Sequence, residues 1–230
     1  MPDDKQKNGN VWMEETQNRA KADFAQHQAK EVGPGHWRIA KPGTVVGAFW
    51  ADIVVMGNVG LAVWGDIDGC FFSYCSGSGS PEAVVAWMAN ADVGYYGRQK
   101  AHIGMGGGEL VDEYVDEVAL YDLEQYLEQR LEEYDEETLD EPRRGQPTAR
   151  ETYKKAFERA RCAVGRGDHM KTVLDNLYED LMNEDQDAYE WVYSIGQVTS
   201  CRVIYALAAV SRLHELLQVQ DSGDPETSQS

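Results

Sequence analysis

Three features of this sequence predict an α+β fold. Between about residues 36 and 76, short runs rich in Val, Ile, Phe, Trp and Tyr are cut by glycines, the pattern of strands and turns. Their connections are too short for parallel crossovers, so the strands must pair antiparallel. After residue 150, apolar residues recur at helical spacing. The expectation is a small N-terminal antiparallel β-meander backed by helices, followed by a mostly helical C-terminal half.

Residues 1–10, MPDDKQKNGN, read as a disordered polar tail. Residues 11–32 read as a moderately polar helix with Val11, Met13, Ala20, Phe24, His27 and Val32 as its contacts, ended by Gly33-Pro34-Gly35. The runs HWRIA, TVVGAFWADIVVMG, GLAVWGDI and GCFFSYCSG then supply three or four strands. Gly57-Asn58 and Asp68-Gly69 are the tight-turn dipeptides between them. In the third run Leu61, Val63 and Gly65 alternate with Ala62, Trp64 and Asp66.

Ser80 is placed to cap a helix that starts at Pro81, with Glu82 against the positive end of its dipole. Val84, Val85, Trp87 and Met88 would pack that helix onto the sheet. A loop, DVGYYGRQKAHIGMGGG, leads to an acidic helix from near Glu109 to about Glu137. Its apolar stripe steps sideways near Ala119, which fits one kinked helix or two helices. These elements form an α+β domain over 11–137. The segment 138–150, with two prolines and a glycine, reads as a linker. A helical domain or subdomain follows over 151–219, and a polar, disordered tail over 220–230. Within it the basic stretch after Thr148, the stretch around Met170, Val173, Leu174, Leu177 and Leu181, and VTSCRVIYALAAVSRLHELLQV are helical. The last is apolar around most of its circumference, which implies a central, buried helix.

The net charge of −19 is unevenly placed. From Glu109 to Glu141 fifteen acids face one base, Arg130, giving −14, and from Asp175 to Glu190 seven acids stand alone, giving −7. Those windows sum to −21, so the rest of the chain is +2. A field of that sign repels nucleic acid and anionic membranes and attracts basic proteins and divalent cations. The longest strongly apolar stretch, Val203 to Val210, is far shorter than the ~20 residues a membrane span needs. Cys70, Cys75, Cys162 and Cys201 have no Cys-x-x-Cys spacing and no zinc-finger histidine partner. With a polar rather than signal-like start, they are expected to be reduced thiols in a cytoplasm.

Glu124, Glu128, Glu132 and Glu136 are four apart and would line one helix face. Like charges at that spacing cost a helix roughly 0.2–0.5 kcal/mol each. The bland reading is a solvated face, neutralised in part by the basic helix 150–161. The sharper one is a surface for a basic partner, with Glu133, Asp112 and Asp116 as further contacts. Were the segment helical throughout, its charges would fall about every 3.5 Å, close to the ~3.4 Å phosphate spacing of one DNA strand. Tyr95, Tyr96, Arg98, Lys100 and His102 form an aromatic and cationic loop that suits an anionic or base-bearing ligand, or that packs as an ordinary loop. Gly106-Gly107-Gly108 lacks the lysine of a phosphate loop and reads as a joint. The DIDG stretch fails the calcium-loop pattern and reads as a hairpin turn. His102, His169, Asp66 and Asp168 carry acid/base chemistry only if the fold brings them together. No metal, cofactor or catalytic residue is expected.

The stretch HWRIAKPGTVVGAFWADIVVMGNVGLAVWGDIDGCFFSY resembles a loose family of uncharacterised tailed-bacteriophage proteins. The matching positions are Trp37, Arg38, Pro42, Gly43, Gly65, Asp66, Gly69, Phe71 and Phe72, and CRVIYALAAVSRL sits where the family carries an alanine-rich helix. The resemblance covers about a third of the chain and implies a phage setting in a host bacterial cytoplasm. With the charge pattern, it leads to an expected function without catalysis. The chain would be an inhibitor of a host defence or nucleic-acid-binding complex, of anti-CRISPR or anti-restriction type. It would act by nucleic-acid mimicry or by occluding a basic surface, with no direct nucleic-acid or membrane binding. Two other readings stand beside it: a small enzyme or nucleotide-binding module using the Tyr95–His102 loop, and an assembly protein or homodimer joined through residues 200–218.

Overall fold

The computed structural model describes residues 8–43, 50–57, 59–67, 69–73, 79–91, 93, 101–103, 112–133, 139 and 146–222, with backbone alone for 101–103, 112 and 221–222. The fold is α+β, as the sequence predicts. The chain forms two compact units, one of residues 13–113 with 199–230 and one of residues 1–12 with 114–198. The first is the sheet unit and the second the helical unit. The division falls at 113/114 and 198/199, and residues 138 and 140–145 of the segment read as a linker lie outside the described residues. The final long helix therefore belongs with the sheet rather than with the helices that precede it.

In the sheet unit, β1 (Gln28–Gly33), β2 (His36–Ala40), β3 (Trp50–Met56), β4 (Gly60–Gly65), β5 (Cys70–Ser73) and β6 (Ala101–Ile103) lie side by side in that order. Each neighbouring pair is antiparallel. Helix α1 (Gly9–Phe24) is shorter than the helix expected over 11–32, because residues 28–33 are a strand. That strand is polar and lies at the sheet edge, so it lacks the alternation that marks a half-buried strand. Gly33-Pro34-Gly35 is the turn joining β1 to β2, with Gly35 at φ 68°.

Side chains on alternate strand positions point to opposite faces. Trp37 and Ile39 of β2, Ala51 and Ile53 of β3, Leu61 and Val63 of β4, and Cys70 and Phe72 of β5 are buried on the inner face. Helix α2 (Pro81–Ala89) packs there with Val84, Val85 and Met88. Ser80 Oγ accepts the Ala83 N–H at 3.3 Å, the cap the sequence predicts. Helix α7 (Cys201–Ser222) runs beside α2 and touches all six strands. Val203, Ile204, Leu207, Val210 and Leu213 are buried in this core. Each such burial contributes about 1.5–3 kcal/mol.

Two short strands, β7 (Asp112–Tyr114) and β8 (Gln197–Thr199), form a separate two-stranded sheet. In the helical unit, α3 (Asp116–Glu133), α4 (Ala149–Gly165), α5 (Met170–Leu181) and the short α6 (Ala188–Trp191) enclose a second core. Leu123, Phe157, Leu174, Leu177, Leu181 and Val192 sit at its centre. Thr148 opens α4 with a capping box, its hydroxyl accepting from the Glu151 N–H while its own N–H donates to the Glu151 carboxylate.

Burial pushes the Cys70 thiol up to about 12. Cys201 also rises to about 12, through burial first and then a hydrogen bond to Glu113. Cys162 is exposed. Since the thiolate is the reactive species, peptide mapping after iodoacetamide treatment at pH 8 should find Cys162 labelled well before Cys70 or Cys201.

Candidate functional site

Helix α3 is where the sequence concentrates charge, and it begins at Asp116, not near Glu109. Residues 112–114 are extended instead and pair as β7. Asp116 and Glu117 thus occupy the first turn, where the helix dipole favours negative charge. The inward face carries buried Val118, Ala119 and Leu123, with Tyr126, Leu127 and Leu131 packed against the core. Gly196 fixes the first turns from outside the helix. Its carbonyl accepts the Val115 N–H at 2.9 Å, and its own N–H donates to Asp122 Oδ2 at 2.9 Å. Gly196 has φ 71°, and a Cβ there would lie 2.6 Å from Ala119 Cβ. Only glycine fits.

Arg130 is the single base of α3, and it is turned inward, its side chain 17% exposed. Its guanidinium lies 4.9 Å over the Trp191 ring and 3.7 Å from Asp185, and Nη1 donates to Glu133 at 2.7 Å. Tyr126 and Phe157 both stack on Trp191, at 5.1 and 6.0 Å. The helix thus spends its only cation on its own packing.

The predicted contact residues divide accordingly. Glu124, Glu128 and Glu132 are exposed, spaced four apart, and carry no ion pair or hydrogen bond among the described residues. Glu133 is held by Arg130 and by a 2.7 Å bond from Gln129, so it is not free to serve a partner. Asp116 is exposed at the helix start. Asp112 lies in β7 without a described side chain, and Glu136 falls outside the described residues. Among the described residues no base of α4 pairs with Glu124, Glu128 or Glu132, and Arg159 pairs instead with Asp180 of α5 at 2.8 Å. Seven acids and one base over 18 residues leave −6 on α3. At 1.5 Å rise that is one net charge per ~4.5 Å, looser than the phosphate spacing of a DNA strand.

The second acidic window is put to a different use. Asp185 is buried and accepts from Trp191 Nε1 at 3.1 Å and from the Asp187 N–H at 2.9 Å. Asp180 is paired with Arg159, Asp175 accepts from the Tyr193 hydroxyl, and Glu190 from the Tyr189 hydroxyl. Of these, Asp175, Asp180 and Asp185 link separate segments of the helical unit. A groove of about 350 Å³ between α4 and α5 is floored by Ala156, Ala160 and Leu177, but its Arg159 and Arg166 are already engaged by Asp180 and Asp168.

The sheet unit contains an arrangement that sequence reasoning missed. On the outer face, opposite the helices, Lys30, Arg38, Asp52 and Trp64 are direct cross-strand partners in one row over β1 to β4. Asp52 is buried and receives Arg38 Nε at 2.8 Å and Nη2 at 2.6 Å. That bond, and then the charge of Asp52, hold the Arg38 pKa above its ordinary value. The guanidinium lies 4.8 Å over Trp50. His36 Nε2 stands 3.6 Å from Asp52, and its ring is 5.9 Å from that of Trp64. Arg38 and Asp52 are 14 residues apart, so only the strand register could have joined them.

The other candidates do not assemble. Tyr95, Tyr96, Arg98 and Lys100 lie outside the described residues, and His102 is in β6, paired with Phe71, with no described side chain. Asp66 accepts from the Trp50 N–H, and Asp168 is bound by Arg166. Among the described residues no cluster of three or more metal-ligating side chains occurs, and no helix is long and apolar enough to cross a membrane. Searches against protein-family models, curated proteins and solved structures found no match for this chain.

Two outcomes follow from the Gly196 contacts. Gly196→Ala should lower stability by about 1–3 kcal/mol in urea unfolding, through strain and overlap with Ala119. Burial, offset in part by the Gly196 N–H, holds the Asp122 carboxyl above its ordinary 3.8. A raised carboxyl binds its proton more tightly in the folded state, so its penalty is absent in acid and builds as pH rises through the folded value. Asp122→Asn keeps an acceptor for Gly196. It should be more stable than wild type at pH 7, with the difference vanishing as the pH falls below 3.8.

Proposed function

We propose that this chain is a binding protein that engages a basic partner through the outward face of α3, with Glu124, Glu128 and Glu132 as its principal contacts. The observation that supports this reading is the pairing of order with lack of compensation. Three carboxylates, with no ion pair among the described residues, stand in line on a helix fixed by its buried face, while Arg130, the single base of that helix, is turned away from them. Two like-charge pairs at four-residue spacing cost at most about 1 kcal/mol. Burial of Leu123 alone offsets that, so the fold can hold a repulsive face at little expense. Charge-assisted hydrogen bonds to Lys or Arg would relieve the repulsion and add attraction.

The partner class this favours is a protein or nucleoprotein with a basic surface that normally handles nucleic acid. Its occlusion in a bacterial host by a phage product agrees with the resemblance to tailed-phage proteins. The charge spacing on α3 favours simple occlusion of basic side chains over close imitation of a phosphate backbone.

The combined substitution Glu124→Gln, Glu128→Gln and Glu132→Gln removes charge without removing packing. It should raise stability by up to about 1 kcal/mol in urea unfolding. Wild-type protein immobilised in bacterial lysate should capture a partner at low salt and release it at high salt, as screening shortens the range of attraction, while the triple variant captures none. Equal capture by the variant would refute the proposal.

A further inference from the structure

A second surface, distinct from α3, lies on the outer face of the sheet, and we infer that it binds a mononucleotide, with the base on Trp64 and the phosphate on Arg38 and Lys30. The row Lys30–Arg38–Asp52–Trp64 crosses four adjacent strands. With strands ~4.8 Å apart, Arg38 and Trp64 are separated by about 10 Å and Lys30 and Arg38 by about 5 Å. One nucleotide reaches from a stacked base to a phosphate over that first distance, and the phosphate then meets two cations.

Each member is prepared for its part. Arg38 is held in place by Asp52 through Nε and Nη2, and by the Trp50 ring beneath it. Its Nη1 has no bond among the described residues, and the side chain is 51% exposed. A guanidinium already fixed loses little freedom when it takes up an anion. Lys30 is exposed and without a partner among the described residues. Trp64 is 38% exposed, an uncommon position for the largest apolar side chain. His36 packs against its ring and bridges toward Asp52, fixing the indole in the row.

Charge selects the occupant. The described outer-face positions of β1 to β5 carry two bases, Lys30 and Arg38, against one acid, Asp52, which leaves a net charge of +1. In a chain of net charge −19, this patch is locally cationic and aromatic. Aromatic stacking with an adjacent cation is the chemistry that recognises a base and its phosphate. A polyanionic strand would extend into the field of a strongly acidic protein, whereas a single nucleotide keeps within the two-cation patch.

The test is a titration of the isotope-labelled full chain with AMP, following the Trp64 indole N–H resonance. Adenosine, inorganic phosphate, phenyl phosphate and a short oligothymidylate serve as separate arms. AMP is expected to move that resonance saturably and to bind tighter than adenosine or phosphate alone. Lys30→Gln and Trp64→Leu, both at exposed positions, should each weaken AMP binding by about tenfold, with the remaining spectrum showing the fold intact. Three results would overturn the assignment: no saturable shift at millimolar AMP, AMP affinity unchanged by both substitutions, or tighter binding of oligothymidylate or phenyl phosphate than of AMP.

Discussion

The inward turn of Arg130 is the constraint on which the character of the helical unit depends. A helix with seven carboxylates would ordinarily scatter bases among them at four-residue spacing. Here the single base lies over Trp191 and against buried Asp185, in the same stack as Tyr126 and Phe157. The cation therefore anchors α3 to the core and engages Glu133, and it leaves Glu124, Glu128 and Glu132 without it. Replacing it with an apolar residue would leave Asp185 buried with one charged partner fewer, a costly state for a carboxylate. Packing and electrostatics are coupled through one side chain.

The carboxylates of this unit divide into two populations. In the 175–190 segment Asp175, Asp180, Asp185 and Glu190 are engaged locally by Arg159, Trp191 and tyrosine hydroxyls. Those at 124, 128 and 132 are left in water. Repulsion among the second group costs less than the burial of one leucine. Stability therefore gives no reason to remove it. The sheet unit shows the opposite arrangement, with a buried acid fixing an exposed base.

The sequence was most legible where structure is local. Ser80 before Pro81 announces a helix cap, and the glycine-cut apolar runs announce antiparallel strands, because turn and cap chemistry is decided within a few residues. It was least legible where partners are distant. An edge strand, residues 28–33, reads as helix because its polar side chains carry no periodicity. Charge and periodicity alone put the start of α3 too early, because residues 112–114 are extended and pair with residues 197–199. Counting acids could not separate Asp185 from Glu124, since burial is invisible to a count. The Lys30–Arg38–Asp52–Trp64 row exists only once strand register is known.

A direct examination of the uncompensated face is a titration with oligolysine, following the side-chain carboxyl carbon resonances of the glutamates and aspartates. Glu124, Glu128 and Glu132 should shift together at the lowest peptide concentrations, while Glu133 and Asp185, already engaged, stay in place. Uniform movement of all surface acids, or a response led by Glu133, would contradict it.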